Sequence, residues 1–136
     1  MEPLDNRIRT LVVDDVRTAR IVIMRLLNEI GFKNIEEARS GKEALEKLSK
    51  ESFQLVISDQ VMPDLSGLQL VTKIRANQAL KDIPFIMVTS TAEREKVLEA
   101  VNAGVSDYIV KPVSMDILVR KIRHVLSDLA TKQAVE

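Results

Sequence analysis

Five side chains suited to phosphate and metal chemistry each stand at the end of a short apolar run. Asp14 and Asp15 follow Thr10-Leu11-Val12-Val13, Asp59 follows Val56-Ile57-Ser58, Thr89 follows Phe85-Ile86-Met87-Val88, and Lys111 follows Tyr108-Ile109-Val110. Carboxylates gathered in one crevice raise one another's pKa, so such a cluster calls for a cation, and an all-oxygen ligand set suits a hard ion such as Mg²⁺. A threonine hydroxyl and a lysine ammonium at the same rim are phosphate-binding groups. The ammonium can clamp a phosphoryl group in transfer, and the hydroxyl can donate to its oxygens afterwards. Each residue also has an ordinary reading: Asp14 or Asp15 as a helix cap, Thr89 as a strand end, Lys111 as a surface lysine. Only their joint placement points to chemistry.

That placement depends on the elements between them. The apolar run Thr10–Val13 reads as a strand, and Arg17–Ile30 follows a helical period through Ala19, Val22, Ile23, Leu26, Leu27 and Ile30, closed by Gly31. A weaker strand, Asn34–Ala38, leads to Ser40, which caps a helix over Gly41–Leu48 that buries Ala44, Leu45 and Leu48. Phe53–Ile57 reads as a buried strand ending at Ser58-Asp59, and Ser66 precedes a helix carrying Leu68, Leu70, Val71 and Ile74. Pro84 opens the strand Phe85–Val88, and a helix from Arg94 to Asn102 stops at Ala103-Gly104. Asp107–Val110 is the last strand, and Ser114 starts an amphipathic helix through Ile117, Leu118, Ile122, Val125, Leu126 and Leu129. Five strand and helix pairs in alternation require a parallel sheet covered on both faces, so the fold class is α/β, doubly wound. In such folds ligands bind outside the carboxyl ends of the strands, where the five reactive side chains stand.

Composition narrows the partners. The 136 residues make one domain, with no internal repeat and a polar end, Thr131 to Glu136, expected to fray. Lys plus Arg equal Asp plus Glu, so no basic field attracts nucleic acid or an anionic membrane. With 3% aromatic residues and no Trp, a base-stacking platform is poorly supported. The absence of cysteine removes disulfides, thiolate metal sites and a catalytic thiol, and suits a cytoplasmic protein. Met1 to Asp5 shows no leader pattern, and no apolar stretch is long enough for a membrane span. His124, the single histidine, reads as a partly exposed helix residue with no ligand role.

Four segments in register resemble the receiver domain of two-component response regulators: Val12-Val13-Asp14-Asp15, Ser58-Asp59-Gln60-Val61-Met62-Pro63, Met87-Val88-Thr89-Ser90 and Val110-Lys111-Pro112. The resemblance covers about the whole chain, with a core near residues 8–130. It is closest to the single-domain chemotaxis receivers, especially at Gly31-Phe32-Lys33-Asn34-Ile35-Glu36-Glu37-Ala38 and from Ile83 through Pro112. It implies a flavodoxin-like (βα)5 fold with strand order 2-1-3-4-5. It also implies that Asp59 is the phosphoacceptor, that Asp14 and Asp15 hold Mg²⁺ with Asp59 and the Val61 carbonyl, and that Lys111 contacts the acyl phosphate. Thr89 would then move toward the phosphoryl group and Tyr108 would turn inward, altering a surface of helix 4, strand 5 and helix 5 that includes Val97, Tyr108, Met115 and Lys121. A cis peptide at Lys111-Pro112 is implied too. From the residues alone Tyr108 is an edge-strand residue, Met62-Pro63 shapes a loop, and Gly67 and Gly104 are turn or cap positions.

By the same resemblance the expected partners are a sensor histidine kinase of the chemotaxis CheA type, a flagellar motor switch protein and a phosphatase, with the chain a cytoplasmic monomer and a phosphoacceptor switch instead of an enzyme. Val61 and Val113 depart from the pattern, where chemotaxis receivers often carry Asn and an aromatic residue. The alternatives are a stand-alone receiver or phosphorelay intermediate outside chemotaxis and, ranked below it, a Mg²⁺-dependent phosphohydrolase using Asp59. The last would need a second acid just after the nucleophile and a substrate-enclosing cap, and Val61 and the short loops argue against it.

Overall fold

The computed structural model describes residues 7–135. Its elements alternate as β1 (Arg9–Val13), α1 (Arg17–Ile30), β2 (Asn34–Ala38), α2 (Gly41–Lys50), β3 (Leu55–Asp59), α3 (Gly67–Ala76), β4 (Phe85–Thr89), α4 (Arg94–Ala103), β5 (Asp107–Val110) and α5 (Met115–Val135). All strand pairs are parallel, in the order β2-β1-β3-β4-β5. The sheet therefore reverses its direction of growth between β1 and β3. The loops leaving those two strands part there and open a crevice at their carboxyl ends.

Strand alternation divides the core into two layers. Leu11, Val13, Val56, Phe85 and Met87 face α2, α3 and α4, packing on Ala44, Leu48, Leu70, Val71, Ile74 and Ala100. Val12, Leu55, Ile57, Ile86, Val88 and Ile109 face α1 and α5, meeting Ile23, Leu27, Leu118, Ile122 and Val125. Because both faces of the inner strands are buried, β3 and β4 are almost wholly apolar, whereas the edge strand β2 carries Asn34, Glu36 and Glu37. Each fully buried aliphatic side chain contributes about 1.5–3 kcal/mol relative to exposure.

Local signals set the helix limits. Ser40 accepts the Glu43 N–H at 3.1 Å, and Ser66 and Gln69 form a reciprocal capping box. Gly31 and Gly104 close α1 and α4 with φ of 119° and 107°, a region that disfavours any residue with a Cβ. Three expectations need correction. β3 begins at Leu55 instead of Phe53, because its pairing with β1 starts at Thr10 and Leu55 and with β4 at Val56 and Phe85, so neither strand pairs with Phe53, which is still buried. Val22 is half exposed, and Arg20 instead shares the buried face of α1 with Ile23 and Leu27. α5 runs on to Val135 through the stretch expected to fray, since lengthening a formed helix costs far less than nucleating one. The Leu129 side chain and residues 1–6 and 136, with the leader reading of Met1 to Asp5, lie outside the described residues.

Candidate functional site

The sheet register assembles the crevice. Val13 pairs with Ser58, Asp59 with Val88, and Thr89 with Val110. The residues at or just past these positions, Asp14, Asp15, Asp59, Thr89 and Lys111, therefore share one rim. Carboxylate oxygens of Asp14, Asp15 and Asp59 lie within 4.8 Å of one another. Lys111 Nζ stands 3.3 Å from Asp59 Oδ1, and the Lys111 N–H donates to the Thr89 carbonyl at 2.8 Å. The Lys111-Pro112 peptide is cis.

Each member is held differently. Asp14 is buried, at 1% exposure; its Oδ1 accepts the Val16 N–H at 2.9 Å, while its Oδ2 has no hydrogen-bond partner. Burial pushes the Asp14 carboxyl above the ordinary carboxylate range, the Val16 N–H opposes this, and the Asp59 charge adds to it. The capping reading of Asp14 thus holds in part: it satisfies an N–H at the start of α1, but the N-cap residue is Val16, with no side-chain cap. Asp15 is exposed and Asp59 is part-buried. A buried carboxylate oxygen without a donor, with two other carboxylates in reach, is a donor set that fits a hard divalent cation. Val61 follows on the loop after β3 with its side chain 73% exposed.

Several supporting residues escaped the sequence reading. Arg20 is buried mid-helix and donates from Nη1 to the Asp14 carbonyl and from Nε to Glu37, both at 2.7 Å. Its spacing from Ile23 and Leu27 on the buried face was the available signal. Gly67 is a close-approach position instead of a turn: a Cβ there would stand 2.4 Å from the Asp59 carbonyl oxygen. Its N–H donates to the Gln60 carbonyl at 2.8 Å, while the Gln60 N–H donates to the Val88 carbonyl at 3.0 Å. Asp64 accepts the Lys42 N–H at 3.0 Å, which ties the loop after Asp59 to the start of α2. The Thr89 hydroxyl donates to Gln60 Oε1 at 2.5 Å and accepts the Thr91 N–H at 3.2 Å.

Thr89, Val97, Ala100 and Tyr108 line one small cavity behind the rim, of about 10 Å³. Tyr108, on the edge strand β5, is half-buried, and Lys121 Nζ lies 5.2 Å from its ring centre. Lys121 is also bound to Asp107 at 2.9 Å, a contact with no sequence signal. Burial pushes the Asp107 carboxyl up, but the Lys121 ammonium, the Tyr108 N–H and His124 together hold it below the ordinary range. His124 is 52% exposed and its Nδ1 reaches Asp107 at 2.9 Å, away from the acidic crevice. Met115 opens α5 and is half-buried.

Comparison with known proteins agrees with this architecture. The pattern of the response regulator receiver domain matches residues 10–123. Chemotaxis protein CheY-3 of Vibrio cholerae is 40% identical over 126 residues, covering 93% of this chain and 97% of that protein. Chemotaxis protein CheY of Pseudomonas aeruginosa is 39% identical over 117 residues, 86% of this chain and 94% of its own length. The crystal structure of the Vibrio cholerae chemotaxis response regulator CheY4 superposes with a TM-score of 0.81 at 31% identity, covering 87% of this chain and 98% of that one.

Proposed function

The chain belongs to the response regulator receiver domain family, and from that premise we propose that Asp59 accepts a phosphoryl group from a sensor histidine kinase and that the phosphorylated chain signals by binding another protein. The observation that carries this reading is Lys111 Nζ, 3.3 Å from Asp59 Oδ1, beside the unpartnered Asp14 Oδ2. An Asp59 carboxylate oxygen forms a bond to phosphorus as the phosphorus–nitrogen bond to the donor histidine breaks, leaving a mixed anhydride that water can hydrolyse. Lys111 offsets the negative charge that carboxylate and phosphoryl group bring together. Asp14, Asp15, Asp59 and the Val61 carbonyl would hold Mg²⁺, which supplies neutralisation of the phosphoryl oxygens when bound. The chain assists its own phosphorylation and hydrolysis and is a switch, not an enzyme acting on a separate substrate.

Thr89 then donates to a phosphoryl oxygen. The cavity between Thr89 and Tyr108, about 10 Å³, holds no more than one water, so the Tyr108 ring turns inward only into space that Thr89 leaves. That rearrangement reshapes the face of α4, β5 and α5 around Val97, Tyr108, Met115 and Lys121. Leu98 and Val101, 46% and 50% exposed on α4, add apolar area nearby. The relatives are named chemotaxis proteins, and on that role the reading takes a kinase of the CheA type as donor, a flagellar motor switch protein as target and a phosphatase as a further partner. A cytoplasmic monomer serves this role; among the described residues no helix is long and apolar enough to cross a membrane.

Acetyl phosphate with Mg²⁺ should add one phosphoryl mass to the wild type and none to Asp59→Asn; equal mass gain in both would sink the assignment. A motor-switch peptide should bind the beryllofluoride-activated chain more tightly by fluorescence anisotropy. Equal affinity for both forms would reject the chemotaxis target and leave the phosphoacceptor intact.

A further inference from the structure

The Thr89 hydroxyl carries one proton, and in this structure that proton is committed to a residue outside the metal and phosphate set. Its oxygen lies 2.5 Å from Gln60 Oε1, at the short limit of the O–H···O range and below the N–H···O range, so the hydroxyl donates and the amide oxygen accepts. The Thr91 N–H donates to the same hydroxyl at 3.2 Å, which fixes the oxygen from a second side. Thr89 is 6% exposed, so neither bond competes freely with water.

Gln60 is itself firmly placed. Its N–H is bound to the Val88 carbonyl and its carbonyl to the Gly67 N–H, and its Cα packs where a Gly67 Cβ would come within 3.0 Å. The main chain therefore cannot drift, and the amide reaches the cavity that Thr89 and Tyr108 also line. A hydroxyl with a single proton cannot donate to Gln60 and to a phosphoryl oxygen at once. Engagement of the phosphoryl group must break the Thr89–Gln60 bond.

We propose that Gln60 is a positioning residue for Thr89: by accepting the Thr89 proton it holds the hydroxyl in a resting arrangement and sets how rarely the unphosphorylated chain visits the phosphoryl-binding one. The inference rests on the Asp59 reading above and deepens it. When the competent arrangement is a minor population, a ligand that requires it binds more weakly by that fraction, and removal of the restraint strengthens binding correspondingly. One buried neutral hydrogen bond sets the size of the effect at about two- to ten-fold.

The test is a double-mutant cycle read by beryllofluoride titration at fixed, saturating Mg²⁺, with NMR shifts of the full chain as the signal. Gln60→Met removes the acceptor at similar volume and should lower the half-saturating beryllofluoride concentration about two- to ten-fold. Thr89→Ala should raise it. In the Thr89→Ala background Gln60→Met should change nothing, because there is no hydroxyl left to restrain; a merely structural role of Gln60 would persist in that background. Three results overturn the proposal: Gln60→Met matching wild type while Thr89→Ala weakens binding, Gln60→Met acting equally in both backgrounds, or Thr89→Ala without effect. The first two leave the phosphoacceptor reading standing. Failure of wild type to bind beryllofluoride at all would instead strike at Asp59.

Discussion

Replacing Asp14 by Asn should make the metal-free protein more stable and at the same time deprive it of most of its stabilisation by Mg²⁺. Asn keeps the shape and the oxygen that accepts the Val16 N–H at 2.9 Å, and it replaces the partnerless Oδ2 by a neutral amide. In the wild type that oxygen is buried at 1% residue exposure among the Asp15 and Asp59 carboxylates. An unsatisfied buried polar group costs about 1–3 kcal/mol. The new amide can donate to a neighbouring carboxylate, so a gain of about 1–2 kcal/mol is expected. At unfolding entropies of about 2 cal/mol/K per residue, a 136-residue chain shifts its Tm by about 3.5 °C per kcal/mol, giving a rise of about 3–7 °C. Mg²⁺ at a hundred times its Kd should add about 2.7 kcal/mol to wild type and much less to the variant.

The pH dependence has a definite sign. The Asp14 carboxyl is held above the ordinary range, so the folded chain binds its proton more readily than the unfolded chain does. Without metal, stability falls as pH rises from about 3.9 through the folded value, and the penalty stays in full above it. The advantage of Asp14→Asn should therefore be greatest above the folded value and shrink as pH falls below it toward the ordinary carboxylate range. Circular-dichroism melts across this fall in pH, with EDTA and with Mg²⁺, measure both effects. A variant less stable than wild type in EDTA, or equal Mg²⁺ stabilisation of the two, refutes the reasoning.

Val61→Asn should shorten the lifetime of the phosphorylated chain about ten-fold, because an amide at this exposed position can align the attacking water where valine cannot; Thr91 compensates in part, since its hydroxyl accepts the Glu93 N–H at 3.1 Å and keeps one proton to donate. Decay after removal of the phosphodonor tests this, and an unchanged rate with normal Mg²⁺ binding would count against it. Gly67→Ala should destabilise the fold by about 1–3 kcal/mol in urea titrations, because its Cβ would meet the Asp59 carbonyl oxygen at 2.4 Å and force β3 and α3 apart. Asp107→Asn should be less stable than wild type at pH 7 and lose less on acidification. The wild-type carboxylate, held low by Lys121, Tyr108 N–H and His124, contributes stability above about pH 3.9 that is lost as pH falls through its folded value. Urea midpoints measured from pH 7 to pH 3 should converge for the two proteins.

The sequence by itself determined the elements and their chemistry. Apolar runs, the caps Ser40 and Ser66, and the stops Gly31 and Gly104 act over a few residues, so they are legible without knowing what packs on them, and α1, β2 and β5 begin and end where the pattern puts them. Asp14, Asp15, Asp59, Thr89 and Lys111 were legible as strand-end residues for the same reason. Local pattern says nothing about which strand lies beside which; that order comes from packing on both sheet faces, and with it the convergence of the five side chains on one rim. The same holds for every contact between distant segments. Thr89 on Gln60, Arg20 on the Asp14 carbonyl, Lys121 on Asp107 and Gly67 against Asp59 join residues whose types alone promise nothing. Val22 is half exposed, whereas Arg20 is buried because Glu37 and the Asp14 carbonyl satisfy it there. A polar side chain is buried where the tertiary structure brings it a partner, and the partners here lie on other strands and loops.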